Sequence, residues 1–203
     1  MSKSIRVENE AEELVALQAL ETYRALQHAV KTAPHGRGLA TVEAVVHDKG
    51  FEHLRRMYES ALADHPEAPK KGGCSLGCAC GRKSSFRCAT PKHLLTTVGG
   101  IVIPRRYYAC RGCGGKRTPW DEWAGIHALA VTPHARKVIV TVSCAWSFDR
   151  ASGKLKEICH MNVSDDTIER VCQHEGEEAR RWLRGNEKTV ESFATAPGEP
   201  VLQ

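Results

Sequence analysis

Between Glu8 and Lys31 the apolar residues Leu14, Leu17, Leu20, Tyr23, Leu26 and Val30 recur three or four positions apart, interleaved with Glu, Gln and Arg, until "TAPHGRG" ends the pattern. That period places one apolar stripe along an α-helix and predicts a single long amphipathic helix. A second helical pattern runs through Val42, Val45, Val46, Phe51, Leu54, Met57, Tyr58, Ala61 and Leu62, with Gly50 as a candidate break and "DHPEAPKKGG" as the exit linker. Two helices joined by a turn suggest a helical hairpin over residues 1–67. Its stripes pack against each other, or they pair with a second copy through a coiled-coil-like seam.

The period changes after residue 72. "HLLTTV" and "IVIPRRYYAC" flank Gly99-Gly100, and two β-rich runs around a Gly-Gly pair predict a β-hairpin. Pro104 cannot donate a ladder hydrogen bond, so it belongs at an edge or a bulge. Beyond "TPWDEWAGI" the chain turns helical again. "TPHARKVIVTVSCAWSF" is read as a helix with Val138, Val142 and Trp146 on its buried face, and Cys144 is expected in the core. A short helix around 150–159, a turn from His160 to Val163, and a helix capped by Ser164 and ended by Gly185 complete the pattern; Asp165 and Asp166 fall in the first turn, where the helix dipole favours them. The expected fold is α+β: a helical hairpin over 1–67, a central β-hairpin segment over 68–118, a helical region over 119–185, and a linker or tail over 186–203.

Charge sharpens this division. Residues 1–67 carry 8 Lys/Arg against 11 Asp/Glu, residues 68–118 carry 11 against none, and residues 119–203 carry 10 against 13. The net charge of +5 therefore hides a middle segment whose undiluted positive field would attract phosphate, and nucleic acid is the leading partner class. The chain has no run of eighteen apolar residues, and "MSKSIRVENEAEEL" lacks the apolar stretch of a signal peptide, so a membrane role is not expected and the cytoplasm is. In a reducing compartment, clustered cysteines act as metal ligands or catalysts more often than as disulfides.

Nine cysteines are present. Cys78-x-Cys80 and Cys110-x-x-Cys113 bracket the predicted hairpin. Two short cysteine turns brought together by a hairpin supply the four soft donors of a tetrahedral zinc site, the zinc-ribbon arrangement. Spacing alone leaves Cys74 or Cys88 able to replace a member of the first pair. Cys159 and Cys172 lie on the apolar faces of their helices and read as buried thiols rather than as a second site with His160 and His174. The chain shows no Ser-His-Asp pattern and no phosphate loop.

The residues "GCACGRKSSFRC…HLLTTVGGIVIPRRYYACRGCGGKRTPWDEWAGI" and "TPHARKVIVTVSCAWSFDRASGKLKEICHMNVSDDTIERV" resemble the N-terminal half of bacterial insertion-sequence transposases of the ISKra-four type. The likeness covers roughly residues 70–182. It rests on Cys78, Cys80 and Gly81; Thr97 near Gly99; Arg105 or Arg106 with Tyr107, Tyr108, Cys110 and Cys113; Pro119, Asp121 and Gly125; Thr132-Pro133; and Ala151, Leu155, Ser164, Thr167, Ile168 and Arg170. The resemblance implies a zinc ribbon and a helix-turn-helix that recognise the ends of a mobile element in DNA transposition. In the family these precede an RNase H-like catalytic domain whose carboxylates hold two divalent cations. Only 18 residues follow Gly185, so no catalytic residue is assigned; Glu187, Glu191 and Glu199 are read as linker acids. The family turn favours Cys78 and Cys80 as ligands, with Cys74 spare. The family usually carries glycine in the helix-turn-helix turn. Here it reads His160-Met161-Asn162, and Asn162 is the residue expected to take a left-handed conformation. Phosphate contact is assigned to Arg82, Lys83, Arg87, Arg105, Arg106, Arg111, Lys116 and Arg117 of the basic segment, and to Arg170 of the last helix. Two rival expectations accompany this reading: a zinc-stabilised protein-interaction module, and a transposase whose catalytic half is missing from the sequence.

Overall fold

A computed structural model describes residues 6–66, 75–126 and 129–186. The fold is mixed α+β. In chain order it comprises α1 (Glu10–Thr32), α2 (Gly38–Val45), a π turn (Val46–Gly50), α3 (Phe51–Ala63), β1 (Leu76–Gly77), β2 (Lys83–Thr96), β3 (Gly99–Cys110), β4 (Lys116–Arg117), α4 (Pro119–Ala124), α5 (Pro133–Ser143), α6 (Phe148–Cys159) and α7 (Asp165–Gly185). The strands form one antiparallel sheet in the order β1-β2-β3-β4.

α1 starts where Asn9 accepts the Glu12 amide at 2.9 Å, while the Glu12 carboxylate reaches back to the Glu8 amide at 2.7 Å. This reciprocal cap satisfies two otherwise orphaned donors. α1 packs on α2 and α3. Gly50 does not break the second helix. It sits at helical φ −65° at the end of the π turn, which winds an extra residue into the helix and carries α2 into α3. Of the two arrangements expected for the α1 stripe, packing within the chain is not what the structure shows: Leu14, Leu17, Leu20, Tyr23 and Val30 are exposed, and Ala29 is the only buried residue of α1. The face turned toward α3 carries Ala11, Val15, Gln18, Thr22 and Ala25 instead.

The hairpin runs from Ser84 opposite Cys110 to Thr96 opposite Gly99. The connecting turn is Thr97-Val98, not the Gly-Gly pair, because the Thr96 hydroxyl closes it by accepting the Val98 amide at 3.2 Å and donating to the Gly99 carbonyl at 2.7 Å. Glycine is needed at the next position. Gly99 has φ +103°, and a side chain there would lie 3.3 Å from the His160 carbonyl. Pro91 and Pro104 face each other across the ribbon. Both occupy the stretch where it has only two strands, so neither takes a donor from an inner ladder.

Neighbouring elements cover the ribbon's edges. On β3, the Val102 amide donates to Glu59 Oε1 of α3 at 2.8 Å. On β2, the Leu95 amide donates to the Ala130 carbonyl and the Leu95 carbonyl accepts the Thr132 amide, both at 2.9 Å. Capping exposed strand edges in this way prevents pairing with foreign strands. Leu94, Ile101 and Ile103 are buried with Trp120 and Ile126, and Leu62 packs against them. Trp120 and Ile126, grouped by the sequence with the helices that follow, thus belong to the core of the sheet.

The second core joins Val131, Ala135, Ile139, Ala151, Leu155, Met161, Val163, Ile168 and Val171. On α5 the buried positions are Ala135 and Ile139, with Val138 and Val142 half-buried; Trp146 lies past the helix end and is exposed, as is Cys144, against expectation. Cys159 and Cys172 pack partly buried against this core, as their helical positions predict. α6 ends on His160 at φ 52°. The left-handed residue is therefore His160 rather than Asn162: Met161 and Val163 both enter the core, so the chain must reverse before Met161. Ser164 caps α7 by accepting the Thr167 amide at 3.3 Å. Among the described residues no helix is long and apolar enough to cross a membrane.

Candidate metal centre and the basic surface around it

The open end of the hairpin gathers four cysteines. Cys78 and Cys80 lie in the turn between β1 and β2, Cys110 ends β3, and Cys113 sits in the turn before β4. Their sulfurs all lie within 4.8 Å of one another, with Cys78–Cys113 at 3.5 Å and Cys80–Cys110 at 3.6 Å. They are free thiols. Among the described residues this is the only group of three or more His, Cys, Asp or Glu side chains that could hold a metal ion. Cys88 lies exposed along β2 and is not part of it, and neither Cys159-His160 nor Cys172 with His174 forms a second one. Cys74 lies outside the described residues.

Backbone geometry explains why these positions converge. The Gly81 amide donates to the Cys78 carbonyl at 3.0 Å and the Cys78 amide to the Arg82 carbonyl at 2.8 Å, folding the first turn. In the second, the Gly114 amide donates to the Cys110 carbonyl at 3.0 Å and the Cys110 amide to the Gly115 carbonyl at 2.9 Å. The two turns therefore curl alike and aim amides at the sulfurs: Gly112 N–H reaches Cys110 Sγ at 3.3 Å and Gly115 N–H reaches Cys113 Sγ at 3.4 Å. The Cys80 amide serves Cys78 and the Arg82 amide serves Cys80.

These donors favour thiolate, but four sulfurs this close oppose ionising together. The Cys80 amide, aided by the neighbouring thiols, pulls Cys78 down to about 6. The Cys113 and Gly112 amides lower Cys110 as well. At Cys80 the Arg82 amide acts in the same direction, yet the sulfurs of Cys113, Cys78 and Cys110 together outweigh it and push that thiol up to about 12. A cluster that releases its first proton readily and retains its last needs a cation to become fully deprotonated. The donor set is four sulfurs within 4.8 Å of one another, which suits a soft divalent ion.

The expected phosphate-binding cations divide into three groups. Arg105 is half-buried and ion-paired with Asp121 of α4. Arg117 grips Glu122 through two hydrogen bonds at 3.0 and 2.6 Å and also donates to the Gly77 carbonyl at 3.1 Å. These two arginines tie α4 to the sheet, and a bidentate pair of this kind is already well satisfied. Arg170 is held by its own helix, through the Asp166 carbonyl and the Thr167 hydroxyl at 3.2 Å each. Arg82, Lys83, Arg111 and Lys116 are exposed in or beside the two cysteine turns, Arg87 is exposed further along β2, and Arg106 is half-buried on β3. Arg87 is the extra residue of a β-bulge between Phe86 and Cys88. Bulges re-aim side chains in this way. Arg82 lies across Gly112, where a Cβ would come within 2.4 Å of its Cδ.

Sequence reading missed the partners of the two tied arginines. The signal was present: Asp121 and Glu122 are the first acids after an acid-free run of 53 residues, and opposite charges flanking such a run tend to fold back on it. It also missed His160, whose Nε2 lies 2.7 Å from His47 Nδ1 and whose ring stacks on Phe51 at 4.5 Å. No protein-family model matches the chain, and no curated protein matches it.

Proposed function

We propose that the chain is a zinc-organised DNA-binding module, of the kind that forms the N-terminal half of an insertion-sequence transposase. In this reading zinc sits among Cys78, Cys80, Cys110 and Cys113, and the open end of the hairpin is a zinc ribbon. Zinc prefers four thiolates in a closed structural site and adds no redox chemistry. It also compensates for the small local core: β1 and β4 are two residues each, and the metal joins the turns beside them. The pair α6–α7 with its His160 turn serves as the helix-turn-helix. Asp165 and Asp166 at the start of α7 disfavour deep entry of that end into a groove, so the main contact is the basic surface meeting phosphate.

The observation that carries the proposal is the placement of four exposed cations, Arg82, Lys83, Arg111 and Lys116, in or beside the turns that hold one four-cysteine cluster, with Arg87 exposed further along β2. The chain itself carries out no cleavage in this account; in a complete transposase, a catalytic domain would act on the DNA that this module holds. The test is anisotropy of a labelled duplex titrated with the full chain at several salt concentrations. Affinity falling steeply with salt supports phosphate binding; affinity indifferent to salt removes the proposal and favours a zinc-stabilised protein-interaction module. That alternative has an observation of its own in the exposed apolar surface of the N-terminal helices.

A further inference from the structure

The helices of residues 10–63 lack a core of their own. Ala29 is their one buried residue, whereas ten of the eighteen exposed large hydrophobics among the described residues lie within residues 10–63. Isolated helices gain their stability from burying an apolar face. On α1, one such face is free. Leu20, Tyr23, Gln27 and Val30 follow at steps of three, four and three residues, the repeat of a coiled-coil seam, and all four are exposed. Leu20, Tyr23 and Val30 are 41%, 58% and 65% exposed, while the side of α1 facing α3 is the separate row Ala11, Val15, Gln18, Thr22, Ala25.

Charge along α1 identifies the occupant. Its first turn carries Glu10, Glu12 and Glu13; its second half carries Arg24, His28 and Lys31. A second α1 running parallel would set acids on acids and bases on bases. Running antiparallel, it sets each acidic end against the partner's basic end.

We propose that the protein self-associates through α1 as an antiparallel, two-fold pair centred between Leu20 and Tyr23. About that axis Leu20 of one copy meets Tyr23 of the other, and Glu13 lies beside Val30 and Lys31. A two-fold contact of this kind is self-complementary and closes at two copies, so it does not propagate into fibres. The inference does not depend on the DNA-binding reading: it uses none of the residues assigned to metal or phosphate.

The test is sedimentation equilibrium of the full chain, metal-loaded and kept reduced, over about 1 to 200 µM, a range that brackets weak and moderate association. A monomer–dimer equilibrium is expected. Leu20→Asp weakens it by about tenfold or more, with helix content by circular dichroism unchanged because the position is exposed. Glu13→Lys and Lys31→Glu each weaken it about fivefold, and a mixture of the two variants restores it, since each then meets an opposite charge. A monomer at every concentration overturns the proposal, as does a dimer indifferent to Leu20→Asp. A dimer broken by Leu20→Asp but indifferent to both charge reversals overturns the antiparallel arrangement.

Discussion

Replacing Cys80 with serine tests the metal centre at the thiol that most needs a cation. The four sulfurs lie within 4.8 Å of one another, with two pairs at 3.5 and 3.6 Å. A zinc–sulfur bond of about 2.3 Å gives a tetrahedral sulfur–sulfur edge of roughly 3.8 Å, so a zinc ion fits among them with little movement. Structural zinc contributes about 10–16 kcal/mol of apparent binding free energy in small four-ligand sites. Divided among four ligands, one thiolate accounts for about 2.5–4 kcal/mol, a weakening of roughly 10²–10³-fold. The Arg82 amide also loses its sulfur acceptor. The assay is competition for metal against a chromogenic chelator, with the metal-to-protein ratio measured by elemental analysis. Wild type, Cys88→Ser and Cys74→Ser should each hold one zinc with equal affinity, and Cys80→Ser should lose it to the chelator. Wild-type retention by Cys80→Ser, or metal loss on Cys88→Ser, would refute the ligand assignment.

Three further outcomes follow from the geometry. In metal-free, reduced protein the first thiolate should appear near pH 6, followed by ultraviolet thiolate absorbance, and Cys78→Ser should remove that step. Because the folded pKa lies below the ordinary thiol value of about 8.5, the stabilisation this thiolate brings is present above that value and lost as pH falls through about 6. Ile168→Ala empties a fully buried position between α5, α6 and α7 and should cost about 2–5 kcal/mol by urea unfolding. His160→Gly should be more stable than His160→Ala by about 1 kcal/mol, since both lose the ring but only glycine is unstrained at φ 52°.

The helical periods were legible wherever burial came from within the chain. α7 runs from its Ser164 cap to Gly185 as predicted, and α5 starts at its proline but ends at Ser143, short of Trp146. The α1 stripe misled because an amphipathic pattern reports that a face is to be buried, not by what; here Leu20, Tyr23 and Val30 face away from α3. The Gly99-Gly100 signal located the hairpin correctly but not its turn. The Thr96 hydroxyl closes the turn one step earlier and spends the freedom of Gly99 on the approach to His160. The left-handed position depended on which neighbours enter the core, a tertiary fact that no local rule at His160-Met161-Asn162 contains.

The cysteine cluster was the most legible feature, since a hairpin must bring the residues just before β2 and just after β3 together. Spacing left Cys74 and Cys88 as alternatives to the first pair. Geometry excludes Cys88, which lies along β2 away from the open end. The basic surface was legible as a segment but not residue by residue. Arg105 and Arg117 face α4, and the acids there spend them on holding the fold.

The central claim is that metal organises a cationic surface for phosphate, and the salt dependence of DNA binding before and after chelation tests it most directly. With about four to five phosphate contacts from the exposed cations, the logarithm of affinity should fall against the logarithm of salt with a slope of about −4. Arg111→Ala or Lys116→Ala should each reduce that slope by about one. Removing the metal should lower affinity together with the slope as the turns carrying Arg82 and Arg111 lose their common anchor. A slope near zero, or a slope and affinity unchanged by chelation, would contradict the account.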